Sequence, residues 1–444
     1  MRAGFAKTDL TPRVGVELSG FAYYLNRHSI AVRDRIWARA MAVEHGDRRV
    51  VVVSNDIIQV DRALTHEVRR RVTEATGVRA QDIMLHCTHN HSGPATGHLR
   101  GFGAPDPPYM ELLPRRIADA CIRAFDALQD ATLAHAEVPC EGIGLNRQYD
   151  RNAPPLEDVL PDTWRPAKPE LTDTTCHVLA AHGADRRLIG FASYFSCHPV
   201  VCCAETRSIH GDYAGVATNL LEREHPGSVG LFLQGAQGDV NSCVVHKPEQ
   251  ESLLALDVIA SRYARSVRNG LAQAAPVQVD EVASALHEVT FSRQAWDAEV
   301  LREKLAEQEA ITEAPDATDT DQGFRRALMV ALGYRQLIAA VEAGELMEPP
   351  TEVQGIRIGP ISLLGAPFEI FQAIKREVGE QARSPIPLVM GITNDELGYA
   401  PDRVIAGVGG YAAEEIPVSL GRLPFANIHE ELVDALLEVE AALY

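Results

Sequence analysis

The stretch Val50-Val51-Val52-Val53-Ser54-Asn55-Asp56-Ile57-Ile58-Gln59-Val60 decides the fold class. It is a β-branched run and reads as a buried strand. Arg62 to Thr76 follows with helical periodicity and stops at Gly77. Asp82 to His86 is a short apolar strand that runs into Thr88-His89-Asn90-His91-Ser92-Gly93-Pro94. Pro108 to Leu128 reads as one long helix. This alternation predicts an α/β fold, a layered α/β/α sandwich around a mixed sheet.

The pattern continues along the chain. Strands are expected at Thr174 to Ala181 and at Leu188 to Ser196, the second delivering Cys197-His198-Pro199. Gly211-Asp212 opens a helix through Glu224, with Asp212 as its N-cap. Ser228 to Leu233 is another strand, and Gln234 to Asn241 is its glycine-rich exit loop. Glu251 to Ala272 is helical. Residues 295–347 form a charged helical excursion, broken from Thr312 to Gly323, within one large domain covering 1–444. A strand at Ile356 to Leu364, a helix from Pro367 to Gln381, a strand at Leu388 to Ile392 and a helix from Ile428 to Leu443 complete the reading.

Composition sets outer bounds. The 444 residues are 46% hydrophobic and 23% charged, with room for a large core. The formal net charge of -19 argues against a phosphate-backbone partner, so no nucleic acid is expected. No run of about 18 apolar residues is present, so no membrane insertion is expected. The N-terminus shows no apolar signal region. Eight cysteines are scattered without a small-scaffold spacing, which reads as reduced thiols in a cytoplasmic protein. A homo-oligomer is compatible with all of this.

Polar residues cluster just after strands, at His89, His198, Gln237 to Asn241 and Asn394. Ligands bind at such strand ends in open α/β sheets. Histidine nitrogens and carboxylates suit a divalent ion. His89 and His91 are two apart, so in an extended segment both would point to one face. His198 sits at another strand end, and His210 and Asp212 follow in one loop. Most of the sixteen histidines, among them His45, His66, His135, His225, His287 and His429, have no such context.

The residues 88–94 resemble the Thr-His-Thr-His-Ser-Gly-Pro motif of the neutral/alkaline non-lysosomal ceramidases. Further matches follow in order. Asn146-Arg147 and Cys197-His198-Pro199 resemble family segments, as do Gly211-Asp212-Tyr213-Ala214-Gly215, Gly238-Asp239-Val240 and Gly365-Ala366-Pro367-Phe368-Glu369. Tyr399 and Tyr411 are separated by 12 positions, like the family's two functional tyrosines. Carried over, the resemblance implies Zn2+ ligands His89, His198, Glu369 and Tyr399. It implies that His91, Arg147 and Tyr411 bind or polarise a scissile amide carbonyl. A zinc-type ion would lower the pKa of a water to about 7, and the three donors suit a developing oxyanion. Each residue also has a plain alternative. Glu369 fits a first-turn glutamate after Pro367. Tyr399 and Tyr411 fit packing tyrosines, and Arg147 a surface arginine. Their joint order favours the functional reading.

The chain departs from the family at one decisive position. Where the family carries a proposed serine nucleophile, this sequence reads Gly238-Asp239-Val240-Asn241-Ser242. An amide side chain is no acyl-transfer nucleophile, but Asn241 can donate to an oxyanion or position a water. Ser242 in an extended loop would face the other way. Direct attack by metal-activated water is therefore expected. The family's larger members add a C-terminal β-sandwich not expected here, and no basic or aromatic lipid-docking segment is evident.

The leading expectation is a zinc-dependent hydrolase of a carbon–nitrogen amide bond in a small soluble substrate. A metal-dependent esterase or lactonase, and a non-catalytic ligand-binding relative, are the alternatives. Cys87, Cys197, Cys202 and Cys203 lie beside the histidines but lack chelating spacing and read as small core residues. The loop from Gly97 to Pro108 and the helical excursion are expected to cover the site. Which substrate is cleaved does not follow from the sequence.

Overall fold

A computed structural model describes residues 1–97, 99–150, 154–345 and 347–444. His98, inside the loop expected to cover the site, and Leu346, inside the helical excursion, lie outside the described residues. The large sheet contains β1 (Arg2–Asp9), β2 (Trp37–His45), β3 (Arg48–Asn55), β4 (Ile83–Cys87), β5 (Gln129–Pro139), β6 (Thr175–Gly183), β7 (Leu188–Phe195), β8 (Val229–Gln234) and β9 (Ala275–Val277). Their order is β8-β7-β6-β5-β1-β2-β3-β4, with β9 pairing to β5. The two end pairs, β8 with β7 and β3 with β4, are parallel and the rest antiparallel. This is the expected mixed sheet.

A second sheet, β10 (Val282–Val289), β11 (Thr351–Ile358), β12 (Ile361–Gly365) and β13 (Ile386–Met390), lies against it. The side chains show how. In β3, Val50 and Val52 join a cluster with Ile356, Leu363 and Leu388 of the second sheet, whereas Val51 and Val53 face a helical layer. Odd and even positions therefore enter different cores. Both faces are buried, which is why Val50 to Val53 is continuous rather than alternating. Fully burying one such valine contributes about 1.5–3 kcal/mol.

Helices α1 (Arg62–Thr76), α2 (Pro107–Asp126), α3 (Asp212–Glu224) and α4 (Glu249–Gln273) cover the outer face of the large sheet. Helices α7 (Gln372–Gln381) and α8 (Ile428–Ala441) cover the second sheet. The layered α/β architecture thus has two sheets between its helices, a division the sequence reading did not separate. Between β10 and β11 in sequence, α5 (Ala298–Thr312) and α6 (Gln322–Ala343) form the helical excursion. Leu301, Val330 and Leu337 pack there with Val418, beside the segment that carries Tyr411.

Several boundaries differ from expectation. The Val50 strand ends at Asn55, because Ile57 N–H turns back to the Asn55 carbonyl and buried Asp56 pairs with Arg39 at 2.5 Å. The expected strand Ile356 to Leu364 is a hairpin turning at Gly359 and Pro360. The helix expected from Pro367 starts at Gln372. Asp212 is not an N-cap. Gly211 holds that position, and the Asp212 carboxylate accepts from Tyr213, Val201 and Cys202 backbone N–H groups.

The large sheet curls until its two end strands meet. The Gln234 N–H at the end of β8 donates to His86 Nε2 in β4 at 2.7 Å, and Ser54 Oγ donates to the Phe232 carbonyl at 2.6 Å. The exits of β4 and β7, which carry His89 and His198, are thereby brought to one place. Chain leaving β13 then runs along β4, where Asn394 N–H bonds the Leu85 carbonyl. That course delivers Tyr399 to the same place.

Candidate metal centre and substrate cleft

His89 follows β4 with a positive φ of 62°, so the segment is not extended as the spacing argument assumed. The turn nonetheless brings both histidines of the motif together. The ring centroids of His89 and His91 are 4.8 Å apart, and each lies within 5.8 Å of the His198 ring. The ligand atoms of these three residues lie within 4.8 Å of one another. Gly20 makes room for them: at φ 98°, a Cβ there would sit 2.4 Å from His91 Cγ.

Glu369 comes from a two-residue strand, Glu369–Ile370, paired in parallel with Tyr399–Ala400. Glu369 and Tyr399 are direct cross-strand partners. The glutamate is therefore a strand residue, not one in the first turn of a helix. Its Oε2 lies 2.7 Å from His198 Nε2 and 3.5 Å from His89 Nε2.

The outward side of each ring fixes its proton. His89 Nδ1 faces the Ile58 carbonyl at 3.0 Å, and His198 Nδ1 faces the Gln237 carbonyl at 2.6 Å. A carbonyl only accepts, so Nδ1 carries the proton in both rings. Both Nε2 atoms then face the Glu369 carboxylate, that of His198 at hydrogen-bond distance. A proton held on Nε2 or a metal ion bound beside the carboxylate satisfies this contact equally. Burial keeps the His198 ring below the usual histidine range despite Glu369. Burial also opposes ionisation of Glu369, yet His89 and His198 outweigh it and hold its carboxyl well below the usual range. Donors about 2.0–2.2 Å from one tetrahedral zinc lie about 3.3–3.6 Å apart. The His89–Glu369 separation has that length, whereas His198 and Glu369, at 2.7 Å, stand at the distance of a direct hydrogen bond. The donor set fits a divalent ion.

Around this centre stand the expected polarising residues. Arg147 Nη2 donates to the Gly238 carbonyl at 2.6 Å, and its guanidinium stacks 5.0 Å from the centre of the Tyr399 ring. The Arg147 backbone N–H bonds the Asp239 carbonyl at 2.8 Å, and Asn146 Nδ2 donates to the buried Asp239 carboxylate at 2.8 Å. Burial pushes the Asp239 carboxyl up to about 6. Tyr411 lies 5.8 Å from Tyr399, ring to ring, and is 37% exposed. Both nitrogens of His91 are buried without a hydrogen-bond partner among the described residues. Burial, with His89 and His198 alongside, holds that ring neutral.

A cleft of about 510 Å³ opens onto His91, Arg147, His198, Asn241, Tyr399 and Tyr411. Asn241 lies on the strand Val240–Ser242, paired with Gly144–Asn146. Its neighbour Ser242 is fully buried, with Oγ accepting from Val244 N–H at 3.3 Å. The alternation of a strand turns the serine away from the cleft. A second, smaller cavity of about 50 Å³ is lined by His89, Glu369 and Glu396 and shares His91, Tyr399 and Tyr411 with the cleft.

Not every candidate joins this centre. His210 and Asp212 form a separate buried group with Cys202. His210 Nδ1 accepts from Asp212 N–H at 3.0 Å, and Asp212 is occupied by backbone donors. They support the loop beneath the histidines. Asn394 is a clasp: its amide bonds Gln354 at 2.8 Å and its oxygen accepts from Leu85 N–H at 3.0 Å. All eight cysteines are free and buried. The sequence reading missed His246, which lines the cleft beside Phe21, and Glu396, which lines the smaller cavity. Only the closeness of Glu396 to Tyr399 in the sequence could have pointed to it.

Gly238 supplies a prediction. A Cβ there would lie 2.4 Å from the Glu369 carbonyl oxygen and 2.8 Å from Phe371 Cδ1. Backbone atoms cannot swing aside, so Gly238→Ala should displace Glu369. The variant is expected to lose about 1–3 kcal/mol of stability and to bind metal more weakly. Thermal melting with and without added metal reads both effects; unchanged melting in both conditions would refute this close-approach argument.

Among the described residues, no helix is long and apolar enough to cross a membrane. A family model described as "Neutral/alkaline non-lysosomal ceramidase, N-terminal" matches residues 1–290. Neutral ceramidase from Pseudomonas aeruginosa shares the fold with a TM-score of 0.74 at 21% identity, over 100% of this chain and 75% of that one. A structure of ceramidase complexed with C2 matches with the same TM-score at 20% identity, again over 100% and 75%. Glu369, Tyr399 and Tyr411 lie beyond the span of the family model, and the fold brings them to its histidines. The chain belongs to the neutral/alkaline non-lysosomal ceramidase family and is an enzyme of that amide-hydrolysing kind.

Proposed function

We propose that this chain is a zinc-dependent amidohydrolase that cleaves a small soluble amide by direct attack of water. The observation that carries the reading is the convergence of His89, His91 and His198, whose ligand atoms lie within 4.8 Å of one another, beside the buried Glu369 carboxylate. His89, His198, Glu369 and Tyr399 would hold the ion. When bound, zinc lowers the pKa of water and polarises a carbonyl.

The chain's own groups do the remaining work. His91 and Arg147 present donors to the carbonyl oxygen as it gains charge, and Tyr411 closes the far side of the cleft. Asn241 positions the water or donates to the same oxygen. Water adds to the carbonyl carbon, the carbon–nitrogen bond breaks, and the proton from water ends on the leaving amine. No covalent enzyme intermediate is needed, which suits an asparagine at position 241 and a buried Ser242.

The test is a hydrolysis screen with zinc-loaded protein across N-acyl amino acids, N-acyl amino sugars, lactams, simple esters and short ceramides. Turnover of a soluble amide is expected, abolished by a chelator and restored by zinc. Preferred turnover of ceramide would overturn the small-substrate reading, and preferred turnover of esters the amide reading. Metal-independent turnover would remove the role of the ion.

A further inference from the structure

The open cleft has a charge character opposite to that of the chain. The protein carries 61 acidic and 42 basic residues. Yet the described side chains that line the cleft of about 510 Å³ include the fixed cation of Arg147 and no carboxylate. Three further polar side chains line it: Asn241, His246 and Gln322. Among the described residues, none of these three side chains has a hydrogen-bond partner. His246 and Gln322 are exposed and mark the mouth of the cleft, whereas Asn241 is half-buried. The His246 backbone is held in the left-handed region at φ 56°, which strains a residue other than glycine. Phe21 packs edge-on against both His246 and His91, with ring centroids 5.9 and 5.5 Å away. One aromatic ring therefore links the mouth to the catalytic end.

Donor groups without partners, in a cleft without carboxylates, favour an anion. One fixed cation among neutral donors matches a single negative charge better than a doubly charged phosphate. From this geometry we infer that the substrate is an amide carrying a carboxylate a few bonds from the scissile bond, and that His246 and Gln322 hold that carboxylate at the cleft mouth. A carboxylate accepts from several donors at once, and an imidazole N–H and a side-chain amide supply them. The short chain between amide and carboxylate lies along Phe21. An N-acyl amino acid and a monoamide of a dicarboxylic acid both have this form. The inference rests on the amidohydrolase reading for its reaction, but recognition of the carboxylate is measured apart from it.

The test compares matched amides that carry or lack the charge. N-benzoylglycine is set against N-benzoylglycinamide, with release of benzoate as the readout. Glutaric acid monoanilide is set against its primary amide, with release of aniline. N-benzoylaminomethylphosphonate replaces the carboxylate with a doubly charged group. The zinc-loaded protein is expected to prefer the acid in at least one pair by about tenfold or more, in kcat/KM and in equilibrium binding. His246→Gly removes the ring and accepts the left-handed backbone, and should bring the ratio of acid to neutral amide to within about threefold of one. Gln322→Glu should do the same by repulsion; it stands at the first position of α6, where an acidic side chain suits a helix. Equal treatment of both pairs by the parent protein overturns the inference. So does tighter binding of the phosphonate than of the carboxylate, or the absence of any binding. A preference that survives in either variant also overturns it, because a carboxylate bound directly to the ion would behave in that way. Selective binding of the acids without turnover would leave this inference standing and sink the hydrolase reading, whereas turnover of neutral amides with no preference for acids would do the reverse.

Discussion

Replacing His198 with alanine is expected, on the proposed zinc reading, to abolish ion binding and to lower amide turnover by about 10³-fold or more, since the Lewis-acid contribution of a metal ion is worth several kcal/mol. The effect should be large because His198 combines two functions. Its Nε2 is 2.7 Å from Glu369, and its Nδ1 ties the centre to the Gln237 carbonyl at the exit of β8. Alanine removes one neutral donor and leaves a buried carboxylate facing the remaining histidines. His89→Ala should behave similarly. His91→Ala is the informative contrast, since both of its nitrogens are without hydrogen-bond partners among the described residues and its ring adjoins the other two. If His91 polarises the carbonyl, its loss lowers kcat while zinc content stays at one per chain. If it is a third imidazole ligand, zinc content falls as well. Elemental analysis of the purified variants decides this. Full zinc occupancy in His198→Ala would show that the ion sits elsewhere.

The elements around this centre were legible to different degrees, for physical reasons. Val50 to Val53, Leu188 to Phe195 and Val229 to Leu233 announce themselves, because strands buried on both faces are continuous apolar runs. Helix α1 was readable to the residue, from Arg62 to Thr76 and its stop at Gly77. Strand β2 gave no such signal. Trp37 to His45 contains three alanines and a buried Arg39, and alanine is a weak strand former. Arg39 makes sense only through Asp56 and Glu222, residues 17 and 183 positions away.

The site shows the same division. Thr88 to Pro94 is a local motif and could be found in isolation. Glu369 and Tyr399 could be named only through resemblance, because what joins them is a two-residue parallel pairing with no periodicity of its own. The left-handed turn at His89 was invisible as well, although it aims the ring. The curl that joins β4 to β8 depends on bonds such as Gln234 to His86, which no pattern of residue types encodes.

Arg147 supports the second large effect. Arg147→Met keeps an unbranched stem against Tyr399 but removes every donor. Loss of one preorganised donor to a developing oxyanion costs about 10²–10³ in kcat, and that fall is expected here. Zinc binding should move the other way. Arg147 is a fixed positive charge beside the ligand set, with its guanidinium 5.0 Å from the Tyr399 ring, so removing it lessens repulsion of an incoming cation. The variant is therefore expected to hold zinc as tightly as the parent or more tightly while turning over far more slowly. A merely structural role would not separate these two readouts. If Arg147 only braced Gly238 through its 2.6 Å bond to that carbonyl, the variant would lose metal and stability together. Arg147→Lys should recover little, because an ammonium cannot reproduce a planar fork that bonds the Gly238 carbonyl and still presents donors to the cleft. Turnover within threefold of the parent in Arg147→Met would exclude Arg147 as the group that stabilises the oxyanion, and would leave His91 and Asn241 to supply those donors.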